Sequence, residues 1–135
     1  MTAYTFAPMP NSYRDLKVWN LALDLTILVY ALTTDFPSNE LYGLTSQMRR
    51  ASVSIASNIA EGSARGTRKD FRQFILIARG SNCELETQLA IARRLHLGSP
   101  EKLTEAEQMA NEVGRMLSGL SNYLAHPKPP PQSHN

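Results

Sequence analysis

The sequence lacks several features by which small proteins are often classified. Its 135 residues include a single cysteine, Cys83, so no disulfide can form within one chain and a reducing compartment is favoured. No stretch approaches the ~18 to 20 consecutive apolar residues that a membrane-spanning helix requires. The first residues contain neither a basic segment nor a continuous apolar one, so we expect no signal peptide and no membrane anchor. These absences predict a cytoplasmic protein.

Residues that commonly carry out catalysis or bind metals are also sparse. The histidines, His96, His126 and His134, have no helical i, i+4 partner, and the Glu-x-x-His repeat of di-iron bundles is absent. No nucleophile lies beside a candidate base, and no glycine-rich segment ends in the Gly-Lys-Ser/Thr of a phosphate-binding loop. We therefore predict a protein that is not an enzyme, with no catalytic residues, cofactor, metal or small-molecule substrate.

The net charge of +2 is too small to predict nucleic-acid binding, but the charge is unevenly distributed. Residues 49–94 hold nine Lys or Arg against four Asp or Glu, whereas the remaining residues hold five against eight. Such asymmetry can mark a surface that attracts anions. The alternative is a helix face whose charges are simply solvated.

Helical periodicity is what the sequence does contain. Apolar residues recur with a helical period in four segments, about 13–34, 38–62, 68–97 and 100–125, and no segment has the two-residue period of a strand. Proline, glycine and capping signals separate the segments. We predict an all-α fold, an antiparallel up-down-up-down four-helix bundle over residues 13–125. A flexible lead-in (1–12) and a disordered proline-rich tail (126–135) flank it.

The first and third segments carry apolar residues on more than one face. In the third, the side opposite the core contains Ile77, Gly80, Glu84 and Ile91. In the first, two stripes lie nearly opposite each other. A bundle of this size covers only one face of each helix, so the second stripe of the first helix predicts an interface between subunits of an oligomer. The residues of this predicted interface are Leu21, Leu25, Leu28 and Leu32.

Some charged and amide side chains fall on helix faces that we expect to be partly buried. We interpret the charged ones as ion pairs within the bundle or between subunits, and the two asparagines as a buried hydrogen-bonded pair. A pair of catalytic carboxylates is the less favoured alternative. These residues are Arg50, Glu61, Glu84, Asn58 and Asn82.

A basic cluster surrounds the start of the third helix, where unpaired backbone N–H groups suit a phosphate. Helices 2 and 3 thus carry a candidate surface for RNA or another anion, whose binding would fall steeply with salt. Aromatic residues do not interleave with it, unlike in proteins that stack single-stranded bases. The predicted surface comprises Arg49, Arg65, Arg68, Lys69, Arg72 and Arg79.

Several short motifs occur in a fixed order across the first three helices. They are DLKVW (15–19), FP (36–37), ELYGL (40–44), QMRRA (47–51), SI (54–55), NIAEG (58–62) and IARGS (77–81). Together they resemble the four-helix-bundle proteins encoded by intervening sequences of 23S ribosomal RNA genes. That family is similar in turn to the accessory variability determinants of diversity-generating retroelements. The resemblance covers about residues 13–97, and the fourth helix matches only as a generic helix.

The resemblance implies a bundle fold, a ring-shaped homopentamer and a non-enzymatic role that involves nucleic acid. The retroelement proteins are strongly basic, however, and this chain is nearly neutral. We therefore expect a cytoplasmic oligomeric accessory protein that binds RNA or a nucleoprotein partner through the basic surface of helices 2 and 3. The alternative is a protein-interaction scaffold without nucleic-acid affinity.

Overall fold

A computed structural model describes residues 12–126, which form four α-helices and no β-strand. The helices are α1 (Lys17–Thr34), α2 (Ser46–Ser63), α3 (Arg68–Arg94) and α4 (Pro100–Ala125). The all-α prediction is confirmed over this range. The predicted lead-in and tail lie outside it, apart from Ser12 and His126.

The four helices surround one hydrophobic core. Helix α1 packs against α2 and α4, and α3 packs against the same two helices. Within residues 12–126, no helix is long and apolar enough to cross a membrane. Because removal of apolar surface from water is the main favourable term in folding, these contacts determine how each helix is rotated. Large side chains that are fully buried include Leu25, Met48, Ile55, Phe71, Ile75, Leu85, Leu89 and Leu117.

The starts of α3 and α4 agree with the capping signals in the sequence. The hydroxyl of Thr67 accepts a hydrogen bond from the Asp70 N–H (3.1 Å), and that of Ser99 accepts one from the Lys102 N–H (3.3 Å). Before Ser99, Gly98 has a φ of +76°, and a Cβ there would lie 2.7 Å from a methyl group of Leu32. The turn between α3 and α4 therefore requires glycine and lies against the end of α1.

Helix α2 begins later than the sequence predicts. The segment expected to start it forms a 3-10 turn (Ser38–Glu40) and then a π-helical segment (Leu41–Thr45), with a kink at Gly43. The Glu40 carboxylate accepts the Leu44 N–H at 3.4 Å, which stabilises this irregular path. As a result Leu44 and Thr45 are buried, whereas Leu41 and Tyr42 are exposed.

Gly62 has a different role from the predicted one. The second predicted segment stops at residue 62, where a glycine commonly follows the last helical residue, but Gly62 lies inside α2 and is buried. A Cβ at this position would be only 2.5 Å from the Cβ of Phe74, so glycine allows α2 and α3 to approach closely. The left-handed residue of the turn is Gly66, whose φ is +89°.

The predicted subunit interface on α1 is wrong for two of its four residues. Leu25 and Leu32 are fully buried in the core of a single chain, so they have no surface to offer a second subunit. Leu21 and Leu28 are half-buried and pack against the same core. Smaller side chains that lie between the two stripes complete the buried face of α1, so this face also includes part of the second stripe. They are Val18, Ala22 and Val29.

The close contact between α2 and α3 gives a testable prediction. Gly62→Ala should lower the free energy of unfolding by about 1–3 kcal/mol, because the methyl group overlaps Phe74 and forces the helices apart. Urea denaturation measures the change. The matched control is Gly119→Ala on α4, where no described atom lies near the added Cβ. It should be neutral or stabilising by up to about 1 kcal/mol. Equal effects of the two substitutions would contradict the close approach.

Candidate interaction surfaces

Two arginines of the predicted basic surface join α3 to the end of α4. The Arg68 guanidinium donates a hydrogen bond to the Tyr123 hydroxyl (3.3 Å) and lies 5.0 Å from the centre of that ring. The Nε of Arg72 donates to the backbone carbonyl of Ser121 at 3.1 Å. Both side chains are half-buried. Their observed contacts are therefore structural.

The other two cations at this end of the bundle are accessible. Arg65 forms an ion pair with Glu61 at 3.1 Å and lies over the ring of Phe74. Both charged side chains remain about half exposed, so the pair contributes little to stability. Lys69, in the first turn of α3, is exposed. Arg65 and Lys69 thus form the accessible part of the predicted site.

Arg49 does not lie with this cluster, and Arg79 lies farther along α3. Arg49, in the first turn of α2, reaches the end of α1, where its Nε donates to the Thr33 hydroxyl at 2.9 Å and its guanidinium covers the ring of Tyr30. Arg79 lies seven residues, or about 10 Å, beyond Arg72 along α3.

The asparagines do not form the predicted pair. The Asn58 amide donates to the carbonyl and hydroxyl of Ser54, on its own helix, at 2.8 and 3.0 Å. The Ser54 hydroxyl in turn shares a hydrogen bond with Ser81 of α3 (2.9 Å). Asn82 is buried and donates to the backbone carbonyl of Ala110 on α4 at 2.9 Å. Asn58 therefore supports the contact between α2 and α3 through Ser54 and Ser81, whereas Asn82 joins α3 to α4.

Arg50, Glu61 and Glu84 are exposed rather than partly buried. Glu61 pairs with Arg65, as described above. Arg50 and Glu84 line a common polar cavity of about 440 Å³ between α2 and α3, beside Tyr42. Within residues 12–126, neither forms an ion pair. These two opposite charges remain accessible to a partner.

A largely apolar cavity of about 670 Å³ opens between α1, the π-helical segment and α2. We call it the groove and define it by Tyr30, Leu41, Tyr42 and Val53, together with the arginines at positions 49 and 50. The fraction of Tyr42 exposed to solvent is 93%, and Ile27, one turn before Tyr30, is 68% exposed. Sequence periodicity missed the groove because the π-helical segment that turns Tyr42 outward has no recognisable pattern.

A second set of exposed apolar residues follows α3. We call it the ridge and define it by Ile77, Gly80, Glu84 and Ile91, which the sequence predicts to lie opposite the core side. Ile77 is 52% exposed and Ile91 43% exposed. Apart from atoms of its own helix, no described atom lies within 4 Å of a Cβ built on Gly80. The ridge is thus a helix face whose two isoleucines are about half exposed, with open space beside Gly80.

Arg93 and Glu107 form an ion pair on the surface of the bundle. Arg93 donates two hydrogen bonds to the Glu107 carboxylate, at 2.8 and 2.9 Å, and these bonds raise the pKa of Arg93 above its usual value. The pair joins α3 to α4. Among residues 12–126, no three His, Cys, Asp or Glu side chains are grouped so that they could hold a metal ion.

Comparisons with known proteins agree with the geometry of the fold. The sequence profile of a family described as 23S rRNA-intervening sequence protein matches residues 14–119. The fold is similar to that of a protein with unknown function from the S23 ribosomal protein family of Bacteroides thetaiotaomicron VPI-5482, with a TM-score of 0.69. The two sequences are 20% identical, and the match covers 77% of this chain and 97% of the other, so this likeness shows the fold alone. No curated protein matches the sequence.

The division of the basic residues into structural and accessible ones can be tested by stability. Arg72→Gln should lower the free energy of unfolding by about 1 kcal/mol, because the carbonyl of Ser121 loses a charged donor. Lys69→Gln, three residues away and exposed, should change it by less than about 0.5 kcal/mol. Urea denaturation of both variants gives the comparison. If Arg72→Gln leaves the free energy of unfolding unchanged, the contact of Arg72 with Ser121 is not structural.

Proposed function

The chain belongs to the 23S rRNA-intervening sequence protein family, and we propose that it is a non-enzymatic, self-assembling accessory protein of the cytoplasm. In this proposal it is one subunit of a ring-shaped homo-oligomer. The observation that carries the proposal is the groove, in which Tyr30, Leu41, Tyr42 and Val53 are all exposed on one side of the molecule. Contiguous exposed apolar side chains rimmed by charges commonly mark a protein interface.

The energetics require that several of these side chains are covered together. Complete burial of one tyrosine removes roughly 150–250 Å² from water. At about 25 cal/mol per Å², this supplies at most about 4–6 kcal/mol. The loss of translational and rotational freedom on association costs about 4–15 kcal/mol. An interface centred on Tyr42 must therefore include its neighbours in the groove, which the geometry allows.

The contacts within the chain also support the predicted up-down-up-down order of the helices. The start of α3 lies against the end of α4 through Arg68 and Tyr123. The turn that contains Gly98 lies near Leu32, at the end of α1. The resemblance implies a ring of five subunits, and we retain that number as part of the proposal.

RNA binding is a second candidate function, favoured by the two accessible cations at the start of α3. Arg65 and Lys69 flank a helix N-terminus, where backbone N–H groups and the helix dipole favour a phosphate. Because Arg49, Arg68 and Arg72 contact other helices, we expect few phosphate contacts per chain, and hence weak binding with a modest salt dependence for a single chain. Repetition of the site around a ring would strengthen it.

Self-assembly is tested by the Tyr42→Glu variant. Since the Tyr42 side chain is 93% exposed, this change should leave the fold intact while placing a charge at the centre of the interface. Light scattering coupled to gel filtration at micromolar concentration should give a multiple of the 15.0 kDa chain for the wild type and a single chain for the variant. Tyr42→Phe, the matched control, keeps the apolar area and should assemble. A wild type that elutes as one chain would overturn the proposal.

RNA binding is tested by reversing the two accessible charges. Arg65→Glu combined with Lys69→Glu should abolish a gel shift of RNA at about 50 mM salt, a shift that the wild type should largely lose near 200 mM. The control, Arg94→Glu with Arg115→Glu, makes the same change in net charge at exposed positions elsewhere. Binding that is unchanged in the first variant, or lost equally in both, would exclude the start of α3 as the site.

A further inference from the structure

The groove and the ridge are neighbouring surfaces of the same chain, which meet at the polar cavity bordered by Arg50 and Glu84, and we propose that the ridge of one copy lies in the groove of the next. In this arrangement Arg50 of one copy pairs with Glu84 of its neighbour. The inference rests on the proposed self-assembly and specifies which surfaces meet. It makes the contact heterologous, meaning that two unlike patches are joined, rather than a two-fold contact of one patch with itself.

The shapes of the two surfaces are complementary. The groove is concave, with a volume of about 670 Å³, and most of its lining surface is apolar. The ridge is one face of a helix, on which Ile77, Glu84 and Ile91 follow one another at intervals of seven residues, over about 21 Å. Such spacing is typical of a helix that lies in an apolar groove. Gly80, between the first two, leaves room for the partner's backbone to approach closely.

The charges favour contact between unlike surfaces. Among the described residues that line the groove, the charged ones are Arg49 and Arg50, both positive. The charged residue within the ridge is Glu84. Two grooves placed face to face would bring four arginines together, and two ridges would oppose carboxylates, whereas a groove and a ridge place opposite charges together.

The contacts within one chain leave this pair available. The guanidinium of Arg49 is held by Thr33 and by the ring of Tyr30, so Arg50 is the more accessible cation of the groove. Arg50 and Glu84 border the same polar cavity, but within residues 12–126 they do not pair with each other or with another residue. An ion pair between copies would satisfy both.

This arrangement determines what kind of assembly can form. Because each copy presents both a groove and a ridge, addition of copies can continue until a ring closes. A copy whose groove is blocked still presents a ridge, and a copy whose ridge is blocked still presents a groove. Those two variants can therefore form one contact with each other, and the resulting pair cannot grow further.

Mixing of two such variants tests the inference. Tyr42→Glu blocks the groove, and Ile91→Glu blocks the ridge at a residue that is 43% exposed. By light scattering, each variant alone should have the mass of one 15.0 kDa chain, and an equimolar mixture should have twice that mass. Ile77→Glu should replace Ile91→Glu with the same result, which guards against a folding defect of one variant. Circular dichroism confirms that each variant is folded.

The control is Ala90→Glu, which introduces the same charge on α3 at an exposed residue about 100° round the helix from Ile91. It should assemble as the wild type does. If the wild type assembles but the mixture remains monomeric, the pairing of groove and ridge is wrong while self-assembly stands. Assembly of the Ile91→Glu and Ile77→Glu variants at the wild-type mass would likewise exclude the ridge from the contact. If the wild type itself is a single chain, both proposals fail.

Discussion

Burial of one apolar face from each of four helices is the constraint on which the rest of this structure depends. Each helix must present its buried face to two neighbours at once, and this requirement fixes its rotation. The rotation of each helix also determines which of its side chains remain exposed to solvent. Leu25 and Leu32 are turned into the core, whereas Ile27 and Tyr30 of the same helix face outward. The exposed apolar surface is therefore a consequence of how the core is packed.

The same packing determines which arginines remain accessible to a ligand. Arg49 and Arg72 donate hydrogen bonds near the C-terminal ends of α1 and α4, where the helix dipole favours a positive charge. Their burial against neighbouring helices reduces the number of cations that RNA could contact. The nearly neutral net charge of the chain agrees with this distribution. These observations count against RNA binding as the principal function.

The candidate sites were harder to predict than the fold, for reasons visible in particular residues. Asn58 and Asn82 were expected to meet, but each finds a backbone carbonyl of another residue, and sequence periodicity cannot choose between acceptors. Tyr42 was not singled out because a kink at Gly43 and a π-helical turn determine its direction. Such irregular segments depend on local hydrogen bonds, here from Leu44 to Glu40, and have no periodic signature.

The sequence by itself determined the all-α class, the four helical segments, the capping of α3 and α4, and the family, because these depend on local periodicity and on short motifs. It also indicated the outward position of Ile77 and Ile91. Only the tertiary structure decided which stripe of α1 is buried, which arginines are accessible, and how closely α2 and α3 approach at Gly62. Those properties depend on the relative rotation and separation of helices, which are set by contacts between residues far apart in the chain.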